Sequence, residues 1–349
     1  MYPHRIHLRG PWEAEPVAVT TIDAHGQSVP VAAALPPKLS MVLPGRWAAA
    51  GWPDFWGRAR FRRRFQWVKP LTDRERLWLG CLGCDGLAEV TLNGTVLGTH
   101  DEPFTPFTFD VTHFIRDRNE LVIEVDAPSD PQGRHLPRGR RGVGGGLWGT
   151  VFLEVRRDLC LDDLAVVPVW RERQPWLHCS GQLLGLPAGS VHLALRVATE
   201  ELAFVTLAEA GRFDLQRPLP PGLARWQPEG QGLPHLHLLQ IDLQDQHATL
   251  DHREITFGIA EVAWADPETV LINGERRLRP ADYHLVEPLL EAATLEAADR
   301  QGRLFVGVLP FSEPAGLPAG LRAAALQLAE QVRRLTAHHP CLVGWEYAS

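Results

Sequence analysis

The stretch "AEVTLNGTVLGTHDEPFTPFTFDVTHFI", Ala88–Ile115, decides the reading of the front of this chain. Apolar and polar residues alternate on both sides of Asn93-Gly94. That pair readily takes the left-handed backbone that a tight hairpin requires, so two short antiparallel strands are expected here. The runs after it are again short, rich in Phe, Thr and Val, and broken by Pro and Asp. No helical period runs through them.

Working outward, "FRRRFQW" (Phe61–Trp67), "RLWLG" (Arg76–Gly80), "NELVIEVDA" (Asn119–Ala127) and "VFLEVRR" (Val151–Arg157) have the same character. Residues 1–157 therefore read as a sandwich or jelly roll. Residues 158–260 read as β again, with a Gly/Pro-rich interior. "VHLALRVATEELAFV" (Val191–Val205) suits either state, because Leu and Ala do. "HLHLLQIDL" (His235–Leu243) alternates and reads as strand. Its His235 and His237 share one face, where outward histidines outweigh a metal pair.

Residues 261–349 change character. A hairpin, "VLINGERRL" (Val270–Leu278), is followed by a helical segment with Pro288 in its first turn, Leu290, Ala293 and Ala297 on one stripe, and Gly302 at its stop. "LFVGVLPF" (Leu304–Phe311) is an apolar strand. Leu321, Ala325, Leu328, Val332 and Leu335 then recur at helical spacing, and "CLVGW" (Cys341–Trp345) follows His338-His339-Pro340. This is β-α-β-α-β, the order of a parallel sheet.

At 349 residues the chain is long enough for two or three domains, and 45% hydrophobic with 22% charged residues is ordinary for a folded protein. A net charge of -7 without a basic block argues against a nucleic-acid partner. No apolar run approaches the roughly 20 residues of a membrane span, and no secretory signal is visible. The expectation is a cytoplasmic protein without a membrane partner. The five cysteines, an odd count without a regular framework, suit a reducing compartment. Cys81 and Cys84 form a C-x-x-C inside a strand-like run with no second pair, so they read as structural. Neither a metal nor a cofactor is expected.

These pieces resemble glycoside hydrolase family 2, the β-galactosidase, β-glucuronidase and β-mannosidase group. "LRGPWE" (Leu8–Glu13), "LPGRWA" (Leu43–Ala48), "FWGRARFRRRFQW" (Phe55–Trp67) and the opening Ala88–Ile115 stretch carry the likeness. So do "RGVGGGLWGTVFLEV" (Arg141–Val155), "RWQPEGQGLPHLHLLQIDL" (Arg225–Leu243) and "ITFGIAEV" (Ile255–Val262). The resemblance implies a mainly β, multidomain fold. It places a jelly-roll sugar-binding domain over 1–157, an immunoglobulin-like β-sandwich over 158–260, and an incomplete βαβαβ segment of a TIM barrel over 261–349.

In the barrel portion the sequence departs from the family pattern. "LINGERRLRPADYHL" (Leu271–Leu285) has Asp282 where the pattern has Asn and Leu285 where it has Glu. Aligning Trp345 with the family's W-S-x-G-N-E sets Glu346 to Ser349 on the four residues before the general acid/base, and the sequence stops there. Retaining glycosidases need two carboxyls roughly 5–5.5 Å apart. The expectation is a carbohydrate-binding protein of carbohydrate metabolism that is truncated within the barrel and inactive alone, with Glu313 and Glu346 as weak catalytic candidates. Asp282, His284, Trp345, Arg138, Arg140, Arg141 and Trp148 are the substrate-binding candidates. Trp47, Trp52, Trp56 and Trp67 are further rings able to stack on a sugar or to fill a core. Two alternatives stay open: a part or subunit of an active retaining β-glycosidase, and an interaction module using an open barrel edge. In each, a homo-oligomer or a partner chain would cover the incomplete barrel.

Overall fold

The computed structural model describes residues 4–101, 105–130, 145–187, 189–280, 283–284, 292–309, 313 and 319–347. Its first part is two antiparallel sheets packed face to face. One has the order His4–His7, Val151–Arg157, Glu75–Cys81, Phe107–Asp110. The other is built on Gly10–Ile22, Gly57–Gln66, Arg118–Ala127 and Leu87–Leu92, with Thr95–His100 joined through the expected hairpin. Asn93 and Gly94 take φ of 53° and 84°, the left-handed pair that such a turn needs.

Period-two alternation explains the packing. Along Gly57–Gln66, Ala59 and Phe61 point into the core at 0% exposure, while Arg58, Arg60, Arg62 and Arg64 point out. The arginines meet acids on both neighbouring strands: Arg60 with Glu124 at 2.9 Å, Arg64 with Glu120 at 3.0 Å, and Arg62 with Glu13 at 3.3 Å. A strand carrying four like charges on one face is thereby matched rather than repelled.

The second part is a sandwich of a three-stranded sheet (Cys160–Arg171, Gln174–Leu184, Gly211–Pro218) and a four-stranded one (Glu200–Leu207, Val191–Val197, Leu236–Gln244, Thr249–Gly258). The ambiguous Val191–Val205 stretch is strand. Its Val191, Leu193, Leu195 and Val197 fill a core that runs from Leu159 to Ile259, and partner strands decide where propensity does not.

The third part begins with a small antiparallel sheet, Val262–Asp266, Thr269–Ile272 and Glu275–Leu278. A parallel sheet of Tyr283–His284, Phe305–Leu309 and Leu342–Tyr347 follows, with helices Ala292–Gln301 and Ala319–Thr336 between its strands. In the second helix Ala325, Leu328 and Val332 are buried as the spacing predicts. The first helix differs. It buries Leu295, Ala298 and Asp299, and leaves Ala297 only half-buried. The face is turned because Asp299 is needed inside, where its carboxylate accepts from His339 Nδ1 at 2.6 Å and from the Cys341 amide at 3.0 Å. Pro288 and Leu290 lie outside the described residues.

Tryptophans hold the third part to the others. Trp148 of the first part is fully buried with Leu309, Ala325, Leu328, Ala329 and Val332. Trp226 of the second part is equally buried and donates to the Asp299 carbonyl at 2.8 Å. Asn273 donates to the Trp226 carbonyl at 2.9 Å, and Arg334 pairs with Asp163. Burying one such ring removes enough apolar surface to contribute several kcal/mol, about 25 cal/mol per Å².

Candidate functional site

The site that the fold favours is the carboxyl end of the parallel sheet, where ligand-contacting residues gather in α/β architectures. Backbone register puts His284, Gly307 and Trp345 in one row across the three strands. Gly307 has no alternative there, since a Cβ would lie 2.6 Å from the Trp345 ring. Trp345 and Tyr347 pack against the cluster that holds Trp148. Two sequence candidates are thus brought together, Trp148 from the close of the first sandwich and Trp345 from the last strand.

Successive strand residues face opposite ways, so Glu346 leaves that cluster and lies on the other face. There its carboxylate accepts from Arg279 Nη2 in an ion pair, with Glu346 38% and Arg279 18% exposed. Trp264, from the strand Val262–Asp266, lies against Gly344 of the same strand as Glu346 and donates to its Val343 carbonyl at 2.9 Å. Arg279 is a residue that sequence reasoning did not single out as part of the site. Its only signal was its place in the Leu278-Arg279 pair of the family-like stretch. The 67-residue separation from Glu346 conceals the contact.

Glu313 is exposed, four residues beyond the strand Phe305–Leu309. Asp282, Arg138, Arg140 and Arg141 lie outside the described residues, and of His284 only the backbone is described. Of the rings offered as stacking surfaces, four are core, while Trp56 is half-buried. Trp47, Trp52 and Trp148 are 0–1% exposed and Trp67 is 9% exposed, so no open ring face is available to a sugar at these four. Trp47 instead packs in an aromatic cluster with Trp52, Phe55 and Phe61. Sequence alone did not separate the two roles, because a core tryptophan and a stacking tryptophan are the same residue type.

Burial dominates the electrostatics of the thiols and of His338. Cys81, Cys84, Cys160, Cys179 and Cys341 are all buried free thiols. Burial pushes Cys81 up to about 12 and Cys160 up to about 11, away from the reactive thiolate. His237 donates to the Ala224 carbonyl at 2.8 Å and its ring lies beside Phe257. His338 is driven down to about 3, first by burial and then by the neighbouring His339.

Known proteins bear on the fold that carries this arrangement. Residues 56–138 match the family described as "Glycosyl hydrolase 2 galactose-binding domain-like". The chain is 23% identical over 252 residues to a β-galactosidase of Thermoanaerobacter pseudethanolicus, covering 69% of this chain and 33% of that protein. In three dimensions it resembles a family 2 β-galacturonidase of Eisenbergiella tayi, crystallised with galacturonate. The TM-score is 0.73 at 18% identity, over 100% of this chain and 66% of that one. It also resembles a calcium-binding mutant of Bacteroides uniformis β-glucuronidase 2, with TM-score 0.74, 16% identity, and coverage of 99% and 47%. The chain spans about a third of the length of the curated relatives it matches. The family match and the curated relatives, together with an architecture shared with those enzymes, make this a glycosidase-like protein. It is a relative of glycoside hydrolase family 2.

Proposed function

We propose that this chain is a carbohydrate-recognising member of the family 2 group that does not hydrolyse glycosides by itself. The observation that carries the reading is the Glu346–Arg279 ion pair. A general acid must present its carboxyl to a leaving oxygen, whereas the Glu346 carboxylate is turned onto the Arg279 guanidinium, on the sheet face opposite the Trp345 cluster. Glu313, the other candidate, is exposed to solvent. Recognition then falls to groups around the mouth of the parallel sheet, with Arg279 its one described cation close to Glu346.

The test is direct. The purified chain is assayed against chromogenic β-galactoside, β-glucuronide, β-galacturonide and β-mannoside, and binding of the free sugars is followed by calorimetry. Binding without turnover is expected. Turnover that disappears in Glu346→Gln or Glu313→Gln would overturn the inactivity.

A second reading has its own observation. Among the described residues, Tyr283–His284 and Leu342–Tyr347 are the outer strands of the parallel sheet and each has one neighbour. Unpaired strand edges invite a partner. Under this reading a second copy or another polypeptide completes an active β-glycosidase: light scattering of the purified chain would show a stable assembly in the first case, and a co-purified partner that brings turnover would mark the second.

A further inference from the structure

The second sandwich carries a surface that the mouth of the parallel sheet does not use. Register places Phe204, Ala194, Asp242 and His252 in one row across Glu200–Leu207, Val191–Val197, Leu236–Gln244 and Thr249–Gly258. His192 and Gln244 are paired two residues along, and Gln240 pairs with both Arg196 and Glu254 on the other side. Core positions alternate with these, so the whole set shares the outer face. Four strands at their usual spacing span about 14 Å, the breadth of a short oligosaccharide.

Phe204 is 53% exposed on this face. His192 stacks on it, with ring centroids 4.8 Å apart and planes 19° apart, and the Thr206 hydroxyl lies 3.1 Å from His192 Nδ1. One side of the phenyl ring is therefore supported while more than half of the residue faces water.

Beside the ring runs a chain of fixed polar groups. Arg196 Nη1 donates to Asp242 at 2.8 Å, and His252 Nδ1 donates to the other Asp242 oxygen at 2.6 Å. His252 Nε2 lies 3.4 Å from Glu254, which also accepts from Gln240 Nε2 at 3.2 Å. The Asp242 hydrogen bond holds the His252 proton above its ordinary range. These side chains are immobilised before any ligand arrives, which lowers the entropy lost on binding.

We propose that this outer face is a carbohydrate-binding surface, separate from the mouth of the parallel sheet, for an extended and uncharged oligosaccharide that stacks on Phe204 and hydrogen-bonds to Asp242, His252, Gln240 and Arg196. Charge selects the occupant. Arg196 is set against Asp242, and His252 against Asp242 and Glu254, so the face has no field of one sign to draw a nucleic acid or a charged peptide. A sugar hydroxyl donates and accepts at once and suits an array in which donors and acceptors alternate. An aromatic wall beside a few placed polar groups is the usual composition of a small-ligand site.

Calorimetry and amide chemical-shift mapping of the full chain with linear cello-, manno- and xylo-hexaose, with oligogalacturonate as the charged control, test this. At least one neutral hexasaccharide should bind, and shifts should gather on the four-stranded sheet. Phe204→Ala should weaken binding by about tenfold or more, while Phe204→Trp retains it. Gln240→Ala, which leaves the ring in place, should weaken it several-fold. Arg279→Ala reports on the other site: if it abolishes binding and Phe204→Ala does not, the surface proposed here fails and the mouth of the parallel sheet stands. Absence of binding by all three neutral hexasaccharides, or preference for the charged control, also overturns it.

Discussion

His339 Nδ1 donates to the Asp299 carboxylate across 2.6 Å, and neither side chain is more than 6% exposed. The same carboxylate accepts from the Cys341 amide at 3.0 Å, while the Asp299 carbonyl accepts from Trp226 Nε1 at 2.8 Å. One residue thus ties the helix Ala292–Gln301 to the turn before the last strand and to the second sandwich.

Removing this acid strands buried donors. Asp299→Ala is expected to destabilise the chain by about 3–5 kcal/mol, as breaking a buried pair from one side does. Asp299→Asn keeps the volume and part of the hydrogen bonding, so it should cost about 1–3 kcal/mol. Urea unfolding followed by tryptophan fluorescence measures both, and the Trp226 environment makes the transition visible. Equal stability of Asp299→Ala and the parent would mean that the network is ornamental.

His338 sets an acid limit. It sits 4.1 Å from the His339 ring, whose partner is Asp299, and its own carbonyl accepts from the Gly258 amide at 3.4 Å. Its folded value of about 3 lies below the 6.5 of an exposed histidine. Above 6.5 both states are neutral and nothing changes. As pH falls from 6.5 toward 3, the unfolded chain takes up a proton that the native one refuses. Stability should therefore drop by about 1.4 kcal/mol per pH unit from this group. His338→Gln should flatten that part of the slope in denaturation curves measured between neutral pH and pH near 4. A slope unchanged by His338→Gln would exclude the assignment.

The turns and strands of the first sandwich were legible because their signals are local. Asn93-Gly94 and Asn273-Gly274 both take the left-handed pair of φ values that their residue types favour. The turn between Cys160–Arg171 and Gln174–Leu184 was not legible, since Glu172 and Arg173 adopt φ of 47° and 66° without any residue that prefers them. There the long paired strands impose the turn. The inward face of Ala292–Gln301 was hidden for a related reason: an aspartate is buried only because His339, 40 residues away, is there to meet it. At the candidate site the strand order and Trp345 could be read locally. The Arg279–Glu346 contact could not, because it joins two strands' surroundings that only the fold brings together.

Gly86 tests the join between sheet strands in the first sandwich. It adopts φ of +68°, and a Cβ there would lie 2.0 Å from the Asp126 carbonyl oxygen. Asp126 cannot retreat freely, since its carboxylate accepts from Thr20 at 2.7 Å, Ser28 at 2.8 Å and Arg58 at 3.1 Å. Gly86→Ala combines a left-handed backbone penalty with a clash against backbone, and should cost about 3 kcal/mol or more. Gly94→Ala, at φ of +84° with open space around it, should cost only the backbone part, about 1 kcal/mol. Thermal unfolding of the two variants side by side separates clash from conformation.

The Arg279–Glu346 pair separates an ionic tether from a catalytic acid. Glu346 is more than a third exposed, so solvent screens much of the interaction. A double-mutant cycle with Arg279→Ala and Glu346→Gln should return a coupling below about 1 kcal/mol, and raising the salt concentration should reduce it further. A catalytic acid would behave differently: Glu346→Gln would leave stability nearly unchanged and remove turnover by orders of magnitude, with a pH-rate profile that loses one limb. The expected result is a small, salt-sensitive coupling with hydrolysis at background in the parent and in both variants. Measurable turnover in the parent that Glu346→Gln abolishes and Arg279→Ala alters would instead make the pair part of the chemistry.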